Sequence, residues 1–143
     1  MMDCDCSLAN QGALPDRDRR FHRGRQNYFS GAAAEDQVAR MYQQRGATIR
    51  DRRCQTPEGE IDIVTQVGDT LVFVEVKKRK NTAISDASVS ARQWQRLENA
   101  ALHYIMQFQK ETGVQPFCRF DVALAGRDGV VQIIENARSF DEY

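Results

Sequence analysis

The stretch from Gly59 to Arg79 constrains the fold of this chain more strongly than any other part of the sequence. It contains two runs of residues that favour strands, and the Gly68-Asp69 pair between them is typical of a tight hairpin turn. The sequence therefore predicts two antiparallel strands, at Glu60–Thr65 and Leu71–Lys77.

The second of these strands carries charges among apolar residues. Successive side chains of a strand point to opposite faces of the sheet. Valines occupy one face, whereas the other face has two large apolar residues followed by Glu75 and Lys77. A strand with apolar residues on both faces is covered on both sides, and sheltered charges mark functional sites more often than exposed charges do. The alternative is that Asp62, Glu75 and Lys77 form a solvated sheet face, since exposed antiparallel strands often carry cross-strand ion pairs.

Two other stretches have the periodicity of amphipathic helices. The first, at Gly31–Arg45, is rich in good helix formers and is followed by a glycine. The second, at Val89–Thr112, has Ser88 or Ser90 as its candidate N-cap and Gly113 as its terminator.

Strand-like alternation is also present outside the central hairpin. The additional strands are predicted at Thr48–Cys54, Phe117–Leu124 and Val130–Glu135. The order is then helix, three strands, helix and two strands, which predicts a single α/β domain whose sheet lies between two helices. A chain of 143 residues is long enough to form one such domain with its own core.

The N-terminal residues 1–27 are polar and have almost no hydrophobic periodicity. Such a segment buries too little apolar area to offset the entropy lost on ordering. We therefore predict a disordered tail, followed by the α/β domain at residues 28–143. The arginines of this tail raise the alternative of a basic arm that touches nucleic acid, but Asp16 and Asp18 dilute its positive charge.

The charge of the chain gives only a local indication of its partners. The formal net charge is zero, so there is no global positive field that would attract nucleic acid. Local patches nevertheless steer phosphates, and the Lys77–Lys80 run is such a patch. No apolar run approaches the roughly 18–20 residues required to cross a bilayer, and the N-terminus lacks the apolar core of a secretory signal. These features predict a cytoplasmic protein without a membrane partner.

Glu35 adds a third carboxylate to those of the hairpin. By helical spacing it lies on the same face as the apolar residues Val38, Ala39 and Tyr42. A carboxylate that faces inward is costly unless it is paired, hydrogen-bonded or bound to a cation. The alternative is a Glu35 at the edge of the apolar stripe, with its carboxylate in water.

Two carboxylates on paired strands, a neighbouring lysine and a helical carboxylate match the requirements of metal-assisted phosphodiester hydrolysis. Mg²⁺ or Mn²⁺ takes oxygen ligands and keeps several waters, so Asp62, Glu75 and a main-chain carbonyl suffice. The metal ion lowers the pKa of bound water, and Lys77 orients that water or stabilises charge on the phosphoryl group. Without metal, the clustered carboxyls should hold a proton more tightly than isolated ones and titrate as a unit.

Four blocks of sequence resemble a known protein family. They are GAAAEDQVA at residues 31–39, GEIDIV at 59–64, FVEVKKR at 73–79 and RFDV at 119–122. These blocks resemble the YraN family of bacterial proteins, which is similar to archaeal Holliday-junction resolvases within the PD-(D/E)XK nuclease superfamily. The resemblance covers residues 27–136 and implies a restriction endonuclease-like domain with a central mixed five-stranded sheet flanked by helices.

The resemblance also implies roles for individual residues. Asp62 and Glu75 take the places of the metal-binding carboxylates, and the Val76 carbonyl completes the ligand set for Mg²⁺ or Mn²⁺. Lys77 takes the place of the catalytic lysine. Glu35 takes that of the helical acid, which contacts the metal ion directly or through water.

Basic residues beside this site are candidates for contacting nucleic acid. Lys78 and Arg79 belong to the basic patch, and the resemblance places a basic residue and a glutamine early in the second helix, where Arg92 and Gln93 lie. It further implies branched or structured DNA as the partner and, by analogy with junction-binding relatives, a homodimer.

We therefore predict a Mg²⁺- or Mn²⁺-dependent endonuclease that hydrolyses phosphodiester bonds in branched or structured DNA. Two alternatives remain open. The first is a nucleic-acid binding module that has the site but does not cleave. The second is a protein-interaction scaffold in which the strand charges, including an ion pair between Arg119 and Asp121, are only structural.

Overall fold

The computed structural model describes residues 31–79, 89–126, 129 and 131–138. In chain order, the elements are helix α1 (Gly31–Gln44), strands β1 (Thr48–Thr56), β2 (Gly59–Val67) and β3 (Thr70–Arg79), helix α2 (Ala91–Thr112), and strands β4 (Phe117–Gly126) and β5 (Val131–Arg138). The predicted order of helix, three strands, helix and two strands is confirmed. The tail predicted at residues 1–27 lies outside the described residues.

The strands form one sheet in the order β1-β2-β3-β4-β5. Neighbouring strands are antiparallel, except that β3 and β4 are parallel. A parallel pair requires a long crossover connection, and α2 lies in the connection between β3 and β4. The prediction of a single α/β domain, with a mixed five-stranded sheet flanked by helices, is confirmed.

Apolar side chains cover both faces of the sheet. The core between α2 and the sheet includes Phe73, Leu97, Tyr104 and Phe120. The core between α1 and the sheet includes Val38, Tyr42, Val72 and Val74. Both faces of β3 are therefore covered, as its alternating apolar residues predict, and the charges at its C-terminal end adjoin two apolar layers.

The helix ends follow the sequence signals closely. Helix α1 stops at Gln44, one residue before its predicted end. The N-cap of α2 is Ser90, whose side-chain oxygen accepts a hydrogen bond from the Gln93 N–H, and Gly113 ends this helix with a φ of 72°. The other candidate N-cap, Ser88, lies outside the described residues. No helix in the described part of the chain is both long and apolar enough to cross a membrane.

A buried carboxylate ties α1 to β4 and β5. Asp121 is fully buried. Its oxygens accept hydrogen bonds from Tyr42 Oη at 2.7 Å, from Arg119 Nε and Nη2 at 2.9 and 3.1 Å, and from the Asn136 N–H at 3.0 Å. The register between β4 and β5 shifts beside Asp121, so the side chain supplies an acceptor where the ladder is irregular. The predicted structural pairing of Arg119 with Asp121 is confirmed.

Loss of the Asp121 carboxylate should destabilise the fold strongly. We expect Asp121→Ala to lower the free energy of unfolding by about 3–5 kcal/mol, because it leaves buried donors without an acceptor. Tyr42→Phe removes one of those donors and should cost about 1 kcal/mol. Urea unfolding measures both, with Glu135→Ala as a control, since its ion pair with Arg45 is exposed and contributes little. A loss no larger than that of the control would contradict the structural role of Asp121.

A second buried carboxylate faces α2. Asp51 of β1 accepts a hydrogen bond from Tyr104 Oη at 3.1 Å. Burial raises the pKa of Asp51 to about 6, although the hydrogen bond from Tyr104 and the charge of Arg50 oppose this shift. The carboxyl therefore holds a proton more tightly in the folded chain than in the unfolded chain.

The raised pKa of Asp51 makes stability depend on pH in a definite direction. A carboxyl whose folded-state pKa is raised contributes stability below its unfolded pKa, and this contribution is lost as the pH rises through the folded pKa. The loss should fall between about pH 4 and pH 6. Over that range, Asp51→Asn should gain about 1–3 kcal/mol of unfolding free energy relative to wild type. Urea unfolding across the range tests this, and a difference that does not change with pH would contradict it.

Candidate active site

Strands β2 and β3 separate in the middle of the sheet. Their register runs from the Val67–Thr70 pair at the turn to the Ile63–Val74 pair. Beyond that pair, β2 continues beside β1, and β3 continues beside β4. The two strands thus form a fork, and Asp62 and Glu75 are the first residues of its two arms.

One hydrogen bond crosses the fork. The Val76 N–H donates to Asp62 Oδ2 at 2.8 Å, so a side chain serves as the acceptor for a main-chain donor at this point. The carboxyl of Glu75 is also close enough to the Asp62 carboxyl to raise the pKa of Asp62. Both acidic side chains are half-buried, which argues against the alternative of an open, solvated sheet face.

The Asp62 carboxyl of the fork has a raised pKa. Burial, the hydrogen bond with Glu75 and the charge of Glu75 raise the pKa of Asp62 to about 8, whereas the Val76 N–H and the charge of Arg53 oppose the shift. Adjacent carboxylates disfavour each other's ionisation in a sheltered site. The raised pKa of Asp62 agrees with the expectation that clustered carboxyls hold a proton more tightly than isolated ones.

Helix α1 brings a third carboxylate to the fork. Glu35 is only 6% exposed, so the alternative that its carboxylate lies in water is wrong. Arg53 Nε donates a hydrogen bond to Glu35 Oε1 at 3.0 Å. Burial raises the pKa of Glu35, the charge of Arg53 lowers it and the charge of Asp62 raises it. Glu35 and Asp62 are therefore close enough to interact electrostatically.

Helix α2 approaches the fork from the other face. Lys77 Nζ lies 3.3 Å from Gln93 Oε1, and the same oxygen accepts a hydrogen bond from the Ser90 N–H at 3.1 Å. Gln93 thus completes the capping box of α2 and also positions the ammonium group of Lys77. The spacing of Ser90 and Gln93 is typical of a helix N-cap. The sequence does not indicate, however, that this cap lies beside Lys77.

The other basic candidates lie in the elements that flank the fork. Lys78 continues β3 and is exposed, and Arg92 is exposed in the first turn of α2. The main chain of Arg79 ends β3, but its side chain and all of Lys80 lie outside what the structure describes. The binding of nucleic acid by Lys78, Arg79, Arg92 and Gln93 stays a prediction.

The carboxyl groups determine what the fork can bind. In the described ranges, no set of three or more His, Cys, Asp and Glu side chains is arranged to hold a metal ion, and Glu35 is paired with Arg53 instead. The adjoining carboxyls of Asp62 and Glu75 fit a hydrated Mg²⁺ or Mn²⁺ ion, since such ions bind through one or two carboxylates and keep several waters. A cation bound between these two carboxyls would compete with the proton for Asp62, whose pKa is raised.

Arg53 is a residue of the site that the sequence does not indicate. It falls inside the predicted strand Thr48–Cys54, in a polar run without a recognisable motif. In the structure it has a φ of 52°. Hydrophobic periodicity carries no information about one left-handed residue within a strand, so no sequence signal identifies the contact of Arg53 with Glu35.

Comparison with known proteins identifies the family. A model of "Uncharacterised protein family UPF0102" matches residues 34–125, a span that contains Glu35, Asp62, Glu75 and Lys77. The chain belongs to the UPF0102 family. This result confirms the resemblance to the YraN family, which is the same family.

Several UPF0102 proteins are similar to this chain over most of their length. One from Ruegeria pomeroyi is 41% identical over 115 residues, which cover 80% of this chain and 92% of the relative. One from Cereibacter sphaeroides is 40% identical over 114 residues, covering 80% and 96%. One from Roseobacter denitrificans is 36% identical over 126 residues, covering 88% and 96%. The similarity thus extends over nearly the whole of each relative.

Asp62 should titrate far above a normal aspartate. We expect its carboxyl to lose its proton near pH 8 in the metal-free protein, and Glu75→Gln should lower this pKa by about one unit or more, because it removes the neighbouring negative charge. Carbon-13 NMR of the side-chain carboxyl measures the titration, and the signal is assigned by its loss in Asp62→Asn. Glu60→Gln removes an exposed carboxylate from the same strand and should change nothing. Titration of Asp62 near pH 4 would contradict the raised pKa.

Proposed function

We propose that this UPF0102 protein is a metal-dependent endonuclease that hydrolyses phosphodiester bonds in branched or structured DNA. The observation that carries the proposal is the fork, in which the carboxyls of Asp62 and Glu75 adjoin and the pKa of Asp62 is raised by burial and by Glu75. A purely structural ion pair would bring opposite charges together. Two like groups in a sheltered position instead favour a cation at that point, and perturbed carboxyls of this kind are concentrated at functional sites.

Each residue of the fork has a part in the proposed reaction. Asp62 and Glu75 hold Mg²⁺ or Mn²⁺, which when bound lowers the pKa of a water ligand and polarises a phosphoryl oxygen. The Val76 N–H fixes the orientation of Asp62, and the Val76 carbonyl is the further oxygen ligand that we propose. Lys77, positioned by Gln93, stabilises negative charge on the phosphoryl oxygens.

The proposed substrate is DNA of irregular structure. Lys78 and Arg92 provide exposed positive charge on β3 and α2, and such charges bind phosphates whatever the base sequence. The preference for branched DNA follows from the resemblance to Holliday-junction resolvases and from the restriction endonuclease-like fold that it implies. Two copies would suit the symmetry of a junction, and sedimentation velocity tests the proposed homodimer.

Cleavage should depend on the metal ion and on both carboxylates of the fork. We expect wild type with Mg²⁺ or Mn²⁺ to cut four-way junctions or flaps faster than plain duplex. Asp62→Asn and Glu75→Gln should each reduce the rate by about 100-fold or more, because each removes a metal ligand. Denaturing electrophoresis of end-labelled DNA measures these rates, and Glu60→Gln is the matched control. Activity that survives both ligand substitutions would exclude the mechanism.

A second candidate function is nucleic-acid binding without cleavage. It is favoured by the ion pair between Arg53 and Glu35, which engages the third carboxylate of the fork. This function requires DNA binding that weakens with salt, persists in EDTA and yields no product with any metal ion. Charge reversal at Lys78 and Arg92 should weaken DNA binding under either candidate function. Loss of cleavage in Glu75→Gln is expected only if the protein is an endonuclease.

A further inference from the structure

Arg53 has a main-chain conformation that regular strands do not contain. Its φ of 52° lies in the left-handed region, which residues with a Cβ atom rarely adopt. The side-chain contacts of β1 show the effect of this conformation. Asp51 contacts Tyr104 of α2, whereas Arg53 contacts Glu35 of α1. Two residues that regular alternation would place on one face therefore reach helices on opposite faces of the sheet.

The register of β1 and β2 places Arg53 beside the fork. The pairs Arg52–Ile63 and Cys54–Ile61 lie on either side of it, so Arg53 is opposite Asp62. The charge of Arg53 opposes the raised pKa values of both Asp62 and Glu35. One positive group thus acts on two carboxyls from different elements, as a bound cation would.

A neighbouring ion pair shows that the Arg53 contact is not needed merely to join β1 to α1. Arg52 pairs with Asp36, the residue that follows Glu35 on the helix. This pair already connects the two elements through residues of regular conformation. The Arg53 pair differs in its left-handed backbone, in its more deeply buried carboxylate and in its electrostatic link to Asp62.

We infer that Arg53 is an exchangeable counter-ion of the fork: a divalent metal ion at Asp62 and Glu75 displaces its guanidinium group from Glu35, and the freed group binds a phosphate oxygen of the DNA. This inference rests on the proposed endonuclease function. Displacement makes the Glu35 carboxylate available to the metal ion, directly or through a bound water. A guanidinium group suits the second step because its planar donors match the geometry of a phosphate. Its side chain is 25% exposed, which gives it a path toward a bound strand.

Metal binding distinguishes this exchange from a structural role. We expect Arg53→Gln to bind Mn²⁺ about tenfold more tightly than wild type in isothermal titration calorimetry, because the ion no longer competes with the guanidinium group. Arg52→Gln is the matched control: the charge of Arg52 also acts on Glu35, but its guanidinium group pairs with Asp36, so this variant should bind Mn²⁺ much less tightly than Arg53→Gln. Binding by Arg53→Gln that is no tighter than that of the control overturns the inference. Failure of wild type itself to take up Mn²⁺ overturns the metal-dependent function as well, so the two failures are distinguishable.

A measurement on wild type remains decisive if Arg53→Gln does not fold. In nitrogen-15 NMR, the Nε–H signal of Arg53 should shift and exchange faster with water when Mg²⁺ is added, whereas the signal of Arg52 should not change. Fluorescence anisotropy with a labelled four-way junction tests the phosphate contact. With Ca²⁺ present, Arg53→Lys should bind the junction about tenfold more weakly than wild type, and in EDTA the two should bind equally. An unchanged Arg53 signal, or an equal loss with and without metal, contradicts the exchange.

Discussion

The hydrogen bond from the Val76 N–H to the Asp62 carboxylate is the interaction on which the candidate site depends. Where β2 and β3 stop pairing, a sheltered main-chain donor needs another acceptor, and an unsatisfied one costs about 1–3 kcal/mol. Asp62 supplies this acceptor while its carboxyl adjoins that of Glu75. The separation of the two strands is therefore stabilised by the same side chain that gives the fork its chemistry. A substitution at Asp62 affects both the strand separation and the acidic pair. The isosteric variant Asp62→Asn is therefore the informative one.

Charged side chains from several elements lie close together at the fork. Glu35 arrives from α1, the Lys77 ammonium is positioned by Gln93 of α2, and Arg53 lies on the adjacent strand. Because apolar cores lie on both faces of the sheet, water screens these groups poorly, and each needs an opposite charge or a proton. Within the protein, Arg53 pairs with Glu35, and the pKa of Asp62 is raised. A chain with no net charge can therefore contain a site in which local charges are large and closely balanced.

Alternation along β3 was sufficient to predict the sheet and the sheltered positions of Glu75 and Lys77, because neighbours on the same strand decide which faces are covered. Helical spacing predicted the inward position of Glu35 for the same reason. These patterns did not predict which side chains contact Glu35 and Lys77. Arg53 meets Glu35 through one left-handed residue, and no period of two or 3.6 residues encodes a single dihedral angle. Gln93 meets Lys77 only because the crossover returns α2 to that end of β3, which is a long-range property of the fold.

Two buried aspartates of this protein show how a structural carboxylate differs from one that is available for chemistry. Asp121 accepts hydrogen bonds from a tyrosine, an arginine and a main-chain amide, so donors of the scaffold satisfy its oxygens. Asp62 has one main-chain donor and a second carboxyl beside it. Burial and the neighbouring carboxyl therefore raise the pKa of Asp62 to about 8. This difference in hydrogen-bond donors separates the candidate site from the scaffold around it, and at the proposed site a divalent ion would take the place of the donors that Asp62 lacks.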